Sequence, residues 1–192
     1  GIDQFEIDFM FEGPNGWSAQ VDIEYGTHGT EGGPEHTFVE QAFIKKQVND
    51  HLSLKAGRFL SYSGWETEDP TGLFQYSGTG YAPYFYGYYQ QGVSAYYDAG
   101  KVAFMASVVN NAFDPIDYDS KKLGYELGIA LMPFEGLTAK AFYIADNDSK
   151  ADLFNFWVSY AVGGWTFAGE YNIADKQGDS KDDGFLLMAN YA

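Results

Sequence analysis

Phe5-Glu6-Ile7-Asp8-Phe9-Met10-Phe11-Glu12-Gly13-Pro14-Asn15-Gly16-Trp17-Ser18-Ala19-Gln20-Val21-Asp22-Ile23-Glu24-Tyr25 is the stretch on which the fold turns. Phe5, Ile7, Phe9 and Phe11 alternate with Glu6, Asp8 and Met10. Beyond the turn signal Gly13-Pro14-Asn15-Gly16, Trp17, Ala19, Val21, Ile23 and Tyr25 alternate with Ser18, Gln20, Asp22 and Glu24. Strand side chains point to opposite faces with period two, so the stretch reads as a β-hairpin with one apolar and one polar face. The hairpin alone does not say which face meets water. A soluble sandwich buries the apolar face, whereas a transmembrane barrel turns it to lipid.

The same alternation recurs down the chain. It is carried by residues 38–46, by Leu52, Leu54 and Ala56, and by Val93, Ala95 and Tyr97. Val102 to Val108, Leu123 to Leu131, Leu137 to Tyr143, Phe154 to Tyr160, Trp165 to Ile173 and Phe185 to Tyr191 follow, for eleven strands in all. Short turns near 13–16, 48–50, 98–101, 133–136 and 161–164 alternate with longer polar connections at 26–36, 60–87, 112–121, 146–151 and 174–183. Outer-membrane barrels join their strands by short periplasmic turns and longer external loops, which is this rhythm. Trp17, Tyr25, Tyr97, Tyr125, Tyr143, Tyr160, Trp165 and Tyr171 all fall on the apolar face, most near strand ends, as in the aromatic girdles of a membrane barrel.

Composition narrows the class. No window approaches the ~18 apolar residues of a spanning helix, so membrane passage has to be by strands of about 9 to 11 residues closed into a barrel. The formal charge of -16, from 27 acids and 11 bases, argues against nucleic acid as a partner. The absence of Cys excludes disulfides, thiol nucleophiles and Cys-ligated metals. The expected fold is therefore an all-β, antiparallel, up-and-down transmembrane barrel. Residues 1–192 form a single domain with about 11 strands visible of at least 12, expected to be truncated at the N-terminus and open to truncation at the C-terminus.

Asp3-Gln4 opening an alternating strand, Val39-Glu40-Gln41-Ala42-Phe43, Leu54-Lys55-Ala56-Gly57-Arg58-Phe59 and Gln91-Gly92-Val93 resemble the OmpL-like β-barrel porins of Gram-negative outer membranes. The likeness is clearest over residues 3–98. It implies location in the outer membrane, contact with its lipid, and passive diffusion of small hydrophilic solutes or ions. It brings no set of binding residues, and the oligomeric state stays open, a trimer being one option.

If the polar faces line a lumen, Glu6, Asp8, Gln20, Asp22, Glu24 and Glu40 gather on the first three strands, with Lys55 and Arg58 on the fourth and Glu126, Lys140 and Glu170 on later ones. A register in which paired numbers sum to 30 sets Asp8 against Asp22 and Glu6 against Glu24; a shift by two is the alternative. Like charges directly opposite are destabilising, so the cluster needs water, a cation or nearby bases, of which Lys55 and Arg58 are the closest candidates. Parity puts Arg58 with the leucines unless a bulge at Gly57 turns it inward. Acids facing bases across a lumen orient polar solutes and select ion sign, and the acidic balance favours cations weakly; the plain alternative is that these residues only keep a wide pore wet.

The connection at 60–87, about 28 residues long, has the length usual for a functional loop. Folded inward, it would offer Trp65, Glu66, Glu68, Asp69, Tyr76, Tyr84 and Tyr86 as a constriction; folded outward, it is an external flap packed on itself. The acids near Asp117, Asp148 and Asp179 read as solvated charge, because Asp146-Asn147-Asp148 lacks the glycine and glutamate of an EF-hand loop. His28 and His36 sit in a Gly-rich stretch poorly suited to hold a metal. No nucleophile elbow, phosphate loop, metalloprotease helix or dinucleotide fingerprint appears, so no enzyme, cofactor or metal is expected. A soluble sandwich or lipocalin-like binding protein is the alternative, and an outer-membrane barrel enzyme the third reading.

Overall fold

The computed structural model describes residues 4–26, 36–66, 82–87, 89–113, 121–175 and 181–192. Eleven strands run in chain order through one sheet: β1 (Gln4–Glu12), β2 (Trp17–Gly26), β3 (His36–Gln47), β4 (Leu52–Leu60), β5 (Tyr89–Asp98), β6 (Val102–Val109), β7 (Gly124–Leu131), β8 (Leu137–Asp146), β9 (Ala151–Val162), β10 (Trp165–Asp175) and β11 (Asp182–Tyr191). Each pairs antiparallel with its sequence neighbour, which makes the sheet an up-and-down meander with β1 and β11 as its edges. Its only helical turns among the described residues are a 3-10 turn at Pro14–Gly16 and α1 (Ala82–Phe85).

The opening hairpin closes as its turn residues require. Asn15 and Gly16 both take left-handed backbone, φ 58° and 74°, which Asn and Gly tolerate best. The register is the one whose numbers sum to 30, with Asp8 opposite Asp22 and Glu6 opposite Glu24.

Burial shows which way the sheet faces. Phe9, Val21, Phe104 and Leu127 are 57, 36, 48 and 52% exposed, and the outward residues of the remaining strands behave alike. The inward set at the same depth, including Asp22, Ser94, Ser107, Glu126, Asn155 and Asn172, is buried. A soluble sandwich would show the reverse. Trp17, Tyr97, Tyr160 and Trp165 form an outward row near the turn end, and Tyr25, Tyr125, Tyr143 and Tyr171 a second near the loop end. From Trp17 to Tyr25 the rise is about 26 Å along the strand, or roughly 20 Å across a bilayer at a tilt of about 40°. That is the scale of the lipid-facing band of a membrane barrel.

Two expectations are corrected. The connection after β8 is not long: residues 147–150 alone separate Asp146 from Ala151. The reason is local, because the buried Asp146 carboxylate accepts the Asp148 and Ser149 N–H groups, each at 2.9 Å, and so caps a tight turn. The bulge lies in β3 rather than β4: Asp22 faces Gln41 while Ile23 faces Val39, leaving Glu40 as the extra residue.

Candidate functional site

The acids of β1 to β3 converge as the register dictates. Carboxylate oxygens of Glu6, Asp8 and Asp22 lie within 4.8 Å of one another. Asp22 is met by side-chain amides: Gln20 Nε2 donates to its two oxygens at 3.0 and 2.8 Å, and Gln41 Nε2 donates at 2.7 Å. Glu24 and the bulged Glu40 are buried beside them.

The two bases expected to neutralise this cluster are placed otherwise. The β4–β5 register runs unbroken through Gly57, whose φ of 132° only glycine adopts readily, so Arg58 keeps the outward phase of Leu54 and Ala56. Pairing between β3 and β4 ends at Ala42–Arg58, and Arg58 fills the seam beyond. Its Nε donates to the Glu40 carbonyl at 2.8 Å, and its guanidinium lies 5.4 Å above the Tyr89 ring. Arg58 thus braces the wall behind Glu40 and Tyr89 rather than lining the lumen by register. Lys55 faces inward, but its ammonium sits among the rings of Phe43, Phe59 and Tyr62 at 5.0, 4.8 and 5.2 Å.

Residues 61–66 leave β4 and cross the inner face of the sheet, tied to it through their backbone. Glu126 on β7 accepts from Ser61 Oγ at 2.8 Å and from Tyr62 N–H at 2.9 Å. Asn155 on β9 accepts from Gly64 N–H at 3.1 Å, and Glu170 on β10 accepts from Trp65 N–H at 3.3 Å. Tyr86, arriving from α1, donates to Glu170 and accepts from the N–H groups of Trp65 and Glu66 at 3.2 and 3.3 Å. Burial, and then the adjacent Glu170, raise the pKa of the Tyr86 phenol, which therefore stays protonated and serves as a donor. Burial likewise raises that of Tyr62, whose hydroxyl is 2.9 Å from Ser94 Oγ.

Glu126 and Glu170, expected to line the pore, are thus inward-facing latches sealed beneath this segment, and Glu126 is fully buried. Around them much of the inner face is apolar. Phe59, Phe85, Tyr86, Val109, Ile144 and Leu153 form one apolar cluster, and Met105, Phe142 and Trp157 anchor a second, against which Tyr62 and Trp65 pack. Trp65 meets Trp157 edge to face at 5.2 Å.

On the other side of the segment a cavity of about 480 Å³ remains, lined by Glu6, Asp8, Gln20, Asp22 and Glu40 on one wall and by Trp65, Glu66, Lys140 and Trp157 on the other. The Lys140 ammonium lies 4.9 Å above the Trp157 ring. Of the candidate constriction residues, Trp65, Glu66 and Tyr86 belong to the inward segment. Tyr84 does not: it is exposed, and its hydroxyl donates to Asp182 at the start of β11. Glu68, Asp69 and Tyr76 lie outside the described residues. Asn155, Ser61 and Gln41 were not anticipated, although Asn155 stands on the inner face of β9 between Leu153 and Trp157, where an amide has to find polar partners.

A β-meander with its apolar face outward, girdled by aromatics and carrying a segment folded across its polar side, is the wall of a transmembrane β-barrel. The sequence profile of the family described as "Putative beta-barrel porin-2, OmpL-like" matches residues 2–192, and the chain belongs to that family. A search of curated proteins finds no match. Among solved structures the chain is similar to Pseudomonas aeruginosa OccD3 (OpdP), with 14% identity and a TM-score of 0.55 over 96% of this chain and 47% of that one. It is similar to the outer membrane protein opdK of the same organism, with 14% identity and a TM-score of 0.57 over 98% and 56%. The third is OccK5 (OpdH), with 11% identity and a TM-score of 0.55 over 98% and 56%. The chain spans about half the length of these proteins and shares their barrel fold. Its place is the outer membrane.

Proposed function

We propose that the protein is a passive channel for small hydrophilic solutes or ions, and that residues 1–192 are one continuous wall of a single barrel domain. The observation that carries the reading is the inward segment. By tying its backbone to Glu126, Asn155 and Glu170, it divides the concave side into a packed half over β6 to β10 and a cavity-lining half over β1 to β4. The unpaired edges of β1 and β11 cannot face hydrocarbon, so in the membrane each is paired, with the other or with further strands.

A role in catalysis is not part of this reading, since the buried carboxylates Glu126 and Glu170 hold loop backbone. Glu6, Asp8, Asp22 and Glu40 give the passage a weak preference for cations at its loop end. Planar-bilayer recording tests both statements. Stepwise conductance with a reversal potential toward the cation is expected. No steps from the refolded full-length protein would overturn the channel, and reversal toward the anion would overturn the preference.

A further inference from the structure

A second cavity, of about 440 Å³, lies on the turn side of the acidic one and shares Gln20 and Tyr62 with it. Its character is opposite. Lys45 and Lys55 stand directly across from each other on β3 and β4, with Ser18 and Ser94 as their next neighbours in the same row. Glu12 is the one acid of its lining, and beyond it the charge of Glu126 on β7 also acts on the Lys55 ammonium. Like charges directly opposed destabilise a sheet, so such a pair calls for an anion or for water. The three rings about the Lys55 ammonium hold it in place through their quadrupoles without neutralising it.

The two chambers therefore follow one another along the passage with opposite sign, joined at Gln20 and Tyr62. On β2, Asp22 marks the acidic chamber and Ser18, the partner of Lys45, marks the basic one. Four residues of strand separate them, about 13 Å. Building on the channel reading, we propose that the paired chambers form a site for linear zwitterions, which enter with the ammonium among Glu6, Asp8 and Asp22 and the carboxylate at Lys45 and Lys55. A charge separation of about 10 to 13 Å is that of an unblocked chain of three or four residues at ~3.3 to 3.6 Å each. A single amino acid is too short to reach both chambers.

Swelling of proteoliposomes that contain the full-length protein tests this with trialanine as the probe, against N-acetyl-trialanine amide and the two singly blocked forms. Trialanine is expected to enter on the order of tenfold faster than the doubly blocked peptide, the lower end of what charged clefts achieve. Lys45→Gln and, independently, Asp8→Asn on the exposed edge strand are each expected to cut the difference about threefold. Retained strand circular dichroism and heat-modifiable migration show that the variants fold. Equal entry of free and blocked trialanine, in a protein that admits arabinose, overturns the zwitterion site and leaves the channel standing. If arabinose is excluded as well, the channel reading itself fails. A preference undiminished by both substitutions also overturns the site.

Discussion

Glu126→Ala should loosen the inward segment and widen the passage. The carboxylate receives two hydrogen bonds from that segment, Ser61 Oγ at 2.8 Å and Tyr62 N–H at 2.9 Å, and it is fully buried. A net intramolecular hydrogen bond is worth about 0.5 to 1.5 kcal/mol, so the joint loss of two removes about 1 to 3 kcal/mol from the docked state. The Asn155 and Glu170 attachments and the contact between Trp65 and Trp157 remain, so the segment frays from its start rather than leaving as a unit. Even the lower figure raises the undocked population roughly fivefold, at tenfold per 1.4 kcal/mol. Hydrogen exchange at the Tyr62 amide should speed up by about that factor, and single-channel records should show larger or more frequent openings. Glu126→Gln keeps one carbonyl acceptor and should fall between. If Tyr62 exchange rises while conductance stays as in the wild type, the segment does not limit the passage; if exchange is unchanged, Glu126 is no latch.

Ala106→Arg puts a cation on the outward face at the middle of β6, where a bilayer exacts about 2 to 4 kcal/mol; reversible unfolding in liposomes should show that loss, and a change within ~0.5 kcal/mol would mean the face meets water. Asp8→Asn removes an exposed carboxylate from the acidic cavity. At ~6 Å in water a unit charge is worth about 0.7 kcal/mol to each ion, attracting the cation and repelling the anion, so the cation-to-anion permeability ratio from reversal potentials should fall about tenfold, and no change would remove Asp8 from the ion path. Gly128→Val would set a Cβ 2.5 Å from the Phe142 ring. Overpacking of this kind typically costs about 1 to 3 kcal/mol, read as a lower urea midpoint, and a neutral result would contradict the packing of the inner cluster.

The outer face was legible because lipid asks one thing of every residue on it. Phe9, Val21, Phe104 and Leu127 need only be apolar, and period two then places them without knowledge of their neighbours. Hairpin chemistry carried as far, since Asn15-Gly16 fixed a turn consistent with the Asp8–Asp22 register. Arg58 was not legible, because its place depends on a seam that opens only where β3 and β4 cease to pair, and that seam follows from a bulge at Glu40. Tyr84 and Tyr86 illustrate the same limit. Two residues apart and alike in chemistry, one is exposed and reaches Asp182 while the other is buried on Glu170, a difference set by the turn of α1 between them.

The inner face nevertheless held a signal that period two alone does not weigh. Inward positions on β1 and β2 are Glu6, Asp8, Met10, Ser18, Gln20, Asp22 and Glu24, as a water-lined wall requires. Those on β6, β8 and β9 include Ala103, Met105, Val109, Phe142, Ile144, Leu153 and Trp157, which no aqueous lumen would favour. Apolar residues on the face opposite the lipid need a cover, and the longest connection in the sequence starts at residue 60, so the inward course of residues 61–66 follows from the composition of the wall they cover. Within that surface Glu126 and the linked side chains of Asn155, Glu170 and Asn172 are buried, and a carboxylate or amide buried among Phe and Ile must be matched by donors and acceptors, which the cover supplies in part. On this reasoning the polar residues of the packed half position the segment, and selectivity belongs to Glu6, Asp8, Asp22, Lys45 and Lys55 on the half left open.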